Sequence, residues 1–141
     1  MPKIFVVQIN VTDMAEALDF YCNKLGFKVT GDSYYPEIVE LLHQDSDRIP
    51  FILSRVKTRS KTVYPDGTQT LISLQTDDLG ITLRVLKEKG VRILSEKPQS
   101  FPGGIFAAIE DPFGNVIEYC ERIPQAHVKQ MKEILESRIQ H

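Results

Sequence analysis

The 141-residue chain contains no apolar run near the roughly 20 residues that a membrane-crossing helix needs. It has no basic block either. Its 17 Lys and Arg stand against 19 Asp and Glu, a net charge of −2, so no stretch is suited to neutralising a phosphate backbone. These absences argue against membrane and nucleic acid as partners. Cysteine is scarce: Cys22 and Cys120 lie far apart without CxxC spacing, which points away from a zinc knuckle or a disulfide framework and makes a reduced cytoplasm the expected compartment. The N-terminal MPKIFVVQIN has an apolar run that breaks at Gln8 and Asn10, too short for the core of a secretion signal. No nucleophile elbow or phosphate-binding glycine loop occurs.

What is present is enough for one real core. Hydrophobic residues make up 42% of a chain of ordinary single-domain size. Residues 4–11 are β-branched and apolar and read as a strand. Thr12 or Asp13 then caps a helix over about 13–25, because Met14, Ala17, Leu18, Tyr21 and Leu25 recur at helical spacing and Gly26 follows as a stop. Residues 27–35, 37–43 and 50–57 read as three further strands, with the polar cluster 44–48 as a loop between the last two.

After the polar connector RSKTVYPDGTQ the order repeats. A strand at 70–76 leads to a helix capped by Asp77 or Asp78 and stopped at Gly90, then a strand at 91–94, the loop SEKPQSFPGG, and strands at 105–110 and 116–122. The two strand-cap-helix-glycine units start about 65 residues apart, which suggests an internal duplication. A proline suited to a first helical turn opens the C-terminal segment, where Val128, Met131, Leu135 and Arg138 or Ile139 repeat at helical spacing and define a narrow apolar stripe. That stripe calls for a covering surface, on the outer sheet face or on a second subunit.

The stretch DPFGNVIEYCER combines a tight turn with an alternating strand. Val116, Glu118 and Cys120 share one face of that strand and Ile117, Tyr119 and Glu121 the other, so alternation does not say which face meets solvent. Glu118 is therefore open to three readings: a metal ligand, a polar hook in a pocket, or a surface carboxylate.

Two of these strings carry a resemblance. VTDMAEALDFYCNKLGFKV resembles the first β-α unit of the vicinal oxygen chelate superfamily, which includes glyoxalase I, bleomycin-resistance proteins, fosfomycin-resistance enzymes and extradiol dioxygenases, and DPFGNVIE resembles its last hairpin. The resemblance implies an α+β fold of two tandem β-α-β-β-β modules, residues 1–60 and 68–123, forming a curved mixed sheet around a cavity and commonly completed in a homodimer. A C-terminal helix over 124–141 would follow the domain at 1–123.

The family's metal-dependent members hold a divalent ion with His, Gln or Glu from four strand positions. Carried over, the first falls on Val6, the second on Leu53 or a neighbour, the third on Leu71 and the fourth on Glu118. Val and Leu have no lone pair to offer, and one carboxylate does not hold a catalytic metal. The expectation is a metal-free cavity lined by Val6, Gln8, Leu53, Arg55, Leu71, Ser73, Tyr35, Phe101 and Glu118, with no cofactor and a small-molecule ligand. Tyr34 and Tyr35 with Phe101 could form an aromatic wall, and FPGG at 101–104 a lip or a plain turn. An inward Glu118 would need Arg55, Gln8, Ser73 or a ligand amine as partner.

The alternative is a divalent-metal-dependent lyase, isomerase or dioxygenase in which Glu118 is ligand or base, with Gln8 or His43 supplying a missing donor. His43 sits at a strand end beside the loop, where a solvated histidine is the ordinary outcome.

Overall fold

The structure is a computed structural model that describes residues 2–43, 49–68, 70–95, 97–123 and 136. Its contacts divide the chain into two units, Met1–Lys61 with Pro112–Asn115, and Thr62–Asp111 with Val116–His141. The expected α+β class and the duplicated element order are both present. Each unit has its own sheet, and neither sheet closes into a barrel.

In the first unit, strand β1 (Val7–Val11) leads into helix α1 (Met14–Leu18), whose chain continues as a π-helical segment, Asp19–Lys24. Strands β2 (Phe27–Tyr34), β3 (Ile38–His43) and β4 (Phe51–Arg55) follow, and the sheet order is β1-β4-β3-β2 with β1 and β4 parallel. Asp13 caps the helix as its sequence position implies, accepting the Glu16 amide at 3.0 Å. The helix lays Met14, Ala17, Phe20, Tyr21 and Leu25 against the odd-numbered residues Ile9, Val11, Val39, Leu41, Phe51 and Leu53, all buried. Phe27 joins this core through edge-on contacts with Tyr21 and His43 and a tilted one with Phe51 at 4.8 Å.

In the second unit β5 (Ile72–Gln75) precedes helix α2 (Leu79–Glu88), followed by β6 (Arg92–Ile93), β7 (Gln99–Phe101), β8 (Gly104–Glu110) and β9 (Val116–Arg122). The order is β5-β9-β8-β6, with β7 also paired to β8. Strand β7 lies inside the stretch expected to be a loop, because three residues are too few to show an alternation. FPGG closes the β7–β8 hairpin, with Phe101 opposite Gly104.

Helix α2 starts at Asp78, whose side chain accepts the Ile81 amide at 3.0 Å, a cap contributing about 1 kcal/mol. Leu79, Leu83 and Leu86 are nearly fully buried and contribute about 1.5–3 kcal/mol each, so packing holds the helix and the cap sets where it starts. Glu121 adds a tie from the sheet. Its buried carboxylate accepts the Leu79 amide at 2.7 Å, satisfying a second donor at the helix N-terminus and placing a negative charge where the helix dipole favours it.

No helix among the described residues is long and apolar enough to cross a membrane. The expected C-terminal helix over 124–141 and the loop 44–48 lie outside the described residues, apart from Glu136, whose carboxylate stands 4.0 Å from Lys97 Nζ.

The DPFGN turn is built into the first unit's structure. Asn115 donates to the Asn10 carbonyl at 2.9 Å and its amide oxygen accepts from Ser60 Oγ at 2.7 Å, while the Ser60 amide donates to the Phe113 carbonyl. Gly114 turns with φ +85°, and a β-carbon there would lie 2.4 Å from the Ser60 carbonyl oxygen. Both the conformation and the space require glycine. Replacing it, Gly114→Ala, is expected to destabilise the fold by about 2 kcal/mol or more, read as a lower midpoint in urea unfolding. An unchanged midpoint would show that the turn yields at no cost.

A hydroxyl-held carboxylate on the second sheet

Strand β9 lies between β5 and β8, and its alternation separates two sets of side chains. Ile117, Tyr119 and Glu121 face the helix side along with Ile105, Ala107 and Ile109 of β8, their cross-strand partners. On the opposite face, helix-free in that neither α1 nor α2 lies on it, Glu118 is flanked by Ser73 of β5 and Ala108 of β8, and Cys120 by Gln75 and Phe106. Glu118 is half-buried there.

Both carboxylate oxygens of Glu118 are engaged by hydroxyls. Ser73 Oγ donates to Oε1 at 3.2 Å and Tyr64 Oη to Oε2 at 2.8 Å. Neither partner carries a compensating positive charge, and no ion pair to Glu118 occurs among the described residues. The effect on Tyr64 is clear: loss of water around the ring, the hydrogen bond to Glu118 and the adjacent negative charge push its phenol up to about 12. Next along the strand, burial raises the Cys120 thiol, with Arg122 pulling down and Glu118 pushing up. The Phe106 ring meets Phe101 at 6.1 Å, which leaves an aromatic pair on the same sheet.

The expected lining residues divide between the two units. Ser73, Glu118 and Phe101 belong to the second, as does Leu71, half-buried just before β5. In the first unit, Gln8 stands on the helix-free face and donates to Asn10 Oδ1 at 3.0 Å, and Val6 is half-buried ahead of β1. Leu53 points to the helix side and is fully buried, so the helix-free positions of β4 are Ile52 and Ser54. Arg55 pairs with Glu37 rather than with Glu118. Tyr35 is 51% exposed in the β2–β3 turn, and Tyr34 more so. His43 ends β3 on the helix side, edge-on to Phe27 at 5.1 Å.

Tyr64 was absent from the expected set. It comes from the connector, in a turn whose only sequence signal is the following PDG, and its bond to Glu118 spans 54 positions. No periodicity reports such a contact. Glu121, the second acid of β9, has a structural place at the α2 N-terminus.

The donor set does not fit a divalent ion. The resemblance matches the ligand positions to Val6, Leu53 or a neighbour, Leu71 and Glu118, and among the described residues no group of three or more His, Cys, Asp or Glu could hold a metal.

The Tyr64 phenol gives this geometry a measurable sign. Its folded value of about 12 lies above the ordinary 10.0, so the stability it contributes is complete below pH 10.0 and is lost as pH rises towards about 12. Phenolate absorbance, taken as the difference between wild type and Tyr64→Phe, should show one tyrosine titrating near 12. In Glu118→Gln the value should fall only part of the way, since desolvation is the largest cause. A difference curve centred on 10.0 would contradict the contact.

With this geometry in hand, likeness to known proteins is informative. An uncharacterized protein of Shewanella frigidimarina is 27% identical over 121 residues, covering 81% of this chain and 89% of that one. A glyoxalase/bleomycin resistance protein/dioxygenase superfamily member from Sphaerobacter thermophilus is 27% identical with a TM-score of 0.68, covering 86% of this chain and 98% of its own. The fold is shared with TnmS3, an antibiotic binding protein from Streptomyces sp. CB03234, at 23% identity and a TM-score of 0.67, covering 87% of this chain and 98% of that one. Residues 3–119 match the family description itself, and the chain belongs to the glyoxalase/bleomycin resistance protein/dioxygenase superfamily.

Proposed function

We propose that this protein binds a small organic molecule against the helix-free face of its second unit, with Glu118 as the polar anchor, and holds that molecule without converting it. The observation that carries this reading is the state of Glu118: a half-buried carboxylate held by two neutral hydroxyls and lacking an ion-pair partner among the described residues. A charge in that position is costly unless something complements it, and a bound molecule with a hydrogen-bond donor does so. The half-buried ring of Phe106, on the same face one pair further along the ladder, offers its body an apolar surface. The shared fold with an antibiotic binding protein agrees with sequestration as a mode of action, although one fold hosts many activities and no particular antibiotic is implied.

A thermal-shift screen of small planar and cationic compounds tests the reading. A compound present at about 100 times its dissociation constant adds about 2.7 kcal/mol of stability, which corresponds to a rise in Tm of several degrees. The rise is expected in wild type and should largely disappear in Glu118→Gln. Calorimetric titration of Ni, Zn, Mn and Fe(II) into the metal-stripped protein is expected to show no tight site. One tight equivalent per chain would overturn the metal-free reading in favour of a lyase, isomerase or dioxygenase.

We also read the chain as a homodimer, in keeping with the family resemblance and the apolar stripe of the C-terminal segment. Light scattering should give twice the monomer mass, and a stable monomer at working concentration would end the proposal.

A further inference from the structure

The two hydroxyls on Glu118 are held very differently. Ser73 lies within β5, where its backbone is part of the ladder to β9, so its Cα is held in place by the sheet. Tyr64 lies in no strand. Its turn is closed by local bonds, the Gly67 amide to the Val63 carbonyl at 2.6 Å and the Thr68 amide to the Pro65 carbonyl at 3.3 Å, and the neighbouring Val63 is 66% exposed. Moving the Tyr64 side chain away would break no sheet hydrogen bond.

We propose that Tyr64 is a gate on the Glu118 anchor: its hydroxyl holds Oε2 in the free protein, and a ligand bearing a protonated nitrogen takes its place while a neutral ligand of the same shape does not. This rests on the reading of Glu118 as the anchor and specifies the ligand class. The selectivity follows from an exchange. A neutral hydroxyl arriving at Oε2 only replaces another hydroxyl and gains nothing. A protonated nitrogen adds the Coulomb attraction that the carboxylate lacks in the free protein. With its phenol raised to about 12, Tyr64 remains a neutral donor at physiological pH and brings no charge of its own. Arg122 is the cation nearest along β9 on this face, and its resolved influence falls on Cys120. The half-buried Phe106 ring on this face suits an aryl or arylalkyl body.

The probes are benzylammonium and its neutral counterpart benzyl alcohol, titrated calorimetrically into the full chain as wild type, Tyr64→Phe and Glu118→Gln. The ring resonances of labelled tyrosine are followed in parallel, that of Tyr64 being assigned in wild type from its sequential connectivity to Val63 and Pro65. Benzylammonium should bind wild type and shift the Tyr64 resonance, and benzyl alcohol should do neither. Tyr64→Phe should bind benzylammonium about fivefold more tightly, because no hydroxyl has to be displaced. Glu118→Gln should lose binding. Equal binding of the two probes, an unmoved Tyr64 resonance, or weaker or unchanged binding by Tyr64→Phe would overturn the gate and leave the anchor standing if Glu118→Gln still abolishes binding. Undiminished binding by Glu118→Gln, or no binding of benzylammonium to wild type, would overturn both. The tyrosine resonance in wild type decides the gate even if Tyr64→Phe does not fold.

Discussion

The register of β9 between its two neighbours is the constraint on which the second unit depends. A strand bonded on both sides cannot slip by one residue without sending each side chain to the opposite face. Here that would carry Glu121 away from the Leu79 amide and bring Glu118 into the apolar layer beneath α2. Each acid is tolerable only where it is: one completes a helix terminus, the other meets hydroxyls on the helix-free face. Ile117 and Tyr119, buried on the helix side, favour the same register, so packing and polar satisfaction agree.

Much of the fold was legible because it is written in short-range signals. The caps Asp13 and Asp78, the glycines that follow both helices and the DPFGN turn each act within a few residues, and they delimit the duplicated units. The site was legible only in part. Alternation divided β9 correctly into two sets, but which set lies under the helix depends on a partner element elsewhere in the chain. Leu53 shows the same limit: its neighbours Ile52 and Ser54 share its strand, and one position decides between core and helix-free face. Arg55 finds Glu37 across the sheet, a pairing that depends on strand order. Tyr64 was the hardest to foresee, since a connector has no period to break.

The chemistry of the family gives these details a wider setting. Among the described residues no group of three or more His, Cys, Asp or Glu could hold a cation. What is seen at Glu118 is one carboxylate with two neutral hydroxyl donors.

The helices of the two halves differ in a way that bears on the history of the chain. Cap and glycine are 13 positions apart in the first unit, Asp13 to Gly26, and 12 in the second, Asp78 to Gly90. The first unit accommodates its longer span through the π-helical segment Asp19–Lys24, in which the wider turn takes up a residue while the helix still begins at its cap and ends at its glycine. Such a segment is what a single-codon insertion into one copy of a duplicated helix would leave behind. Phe20 and Tyr21, adjacent in sequence and both buried, show the apolar stripe changing phase within this segment.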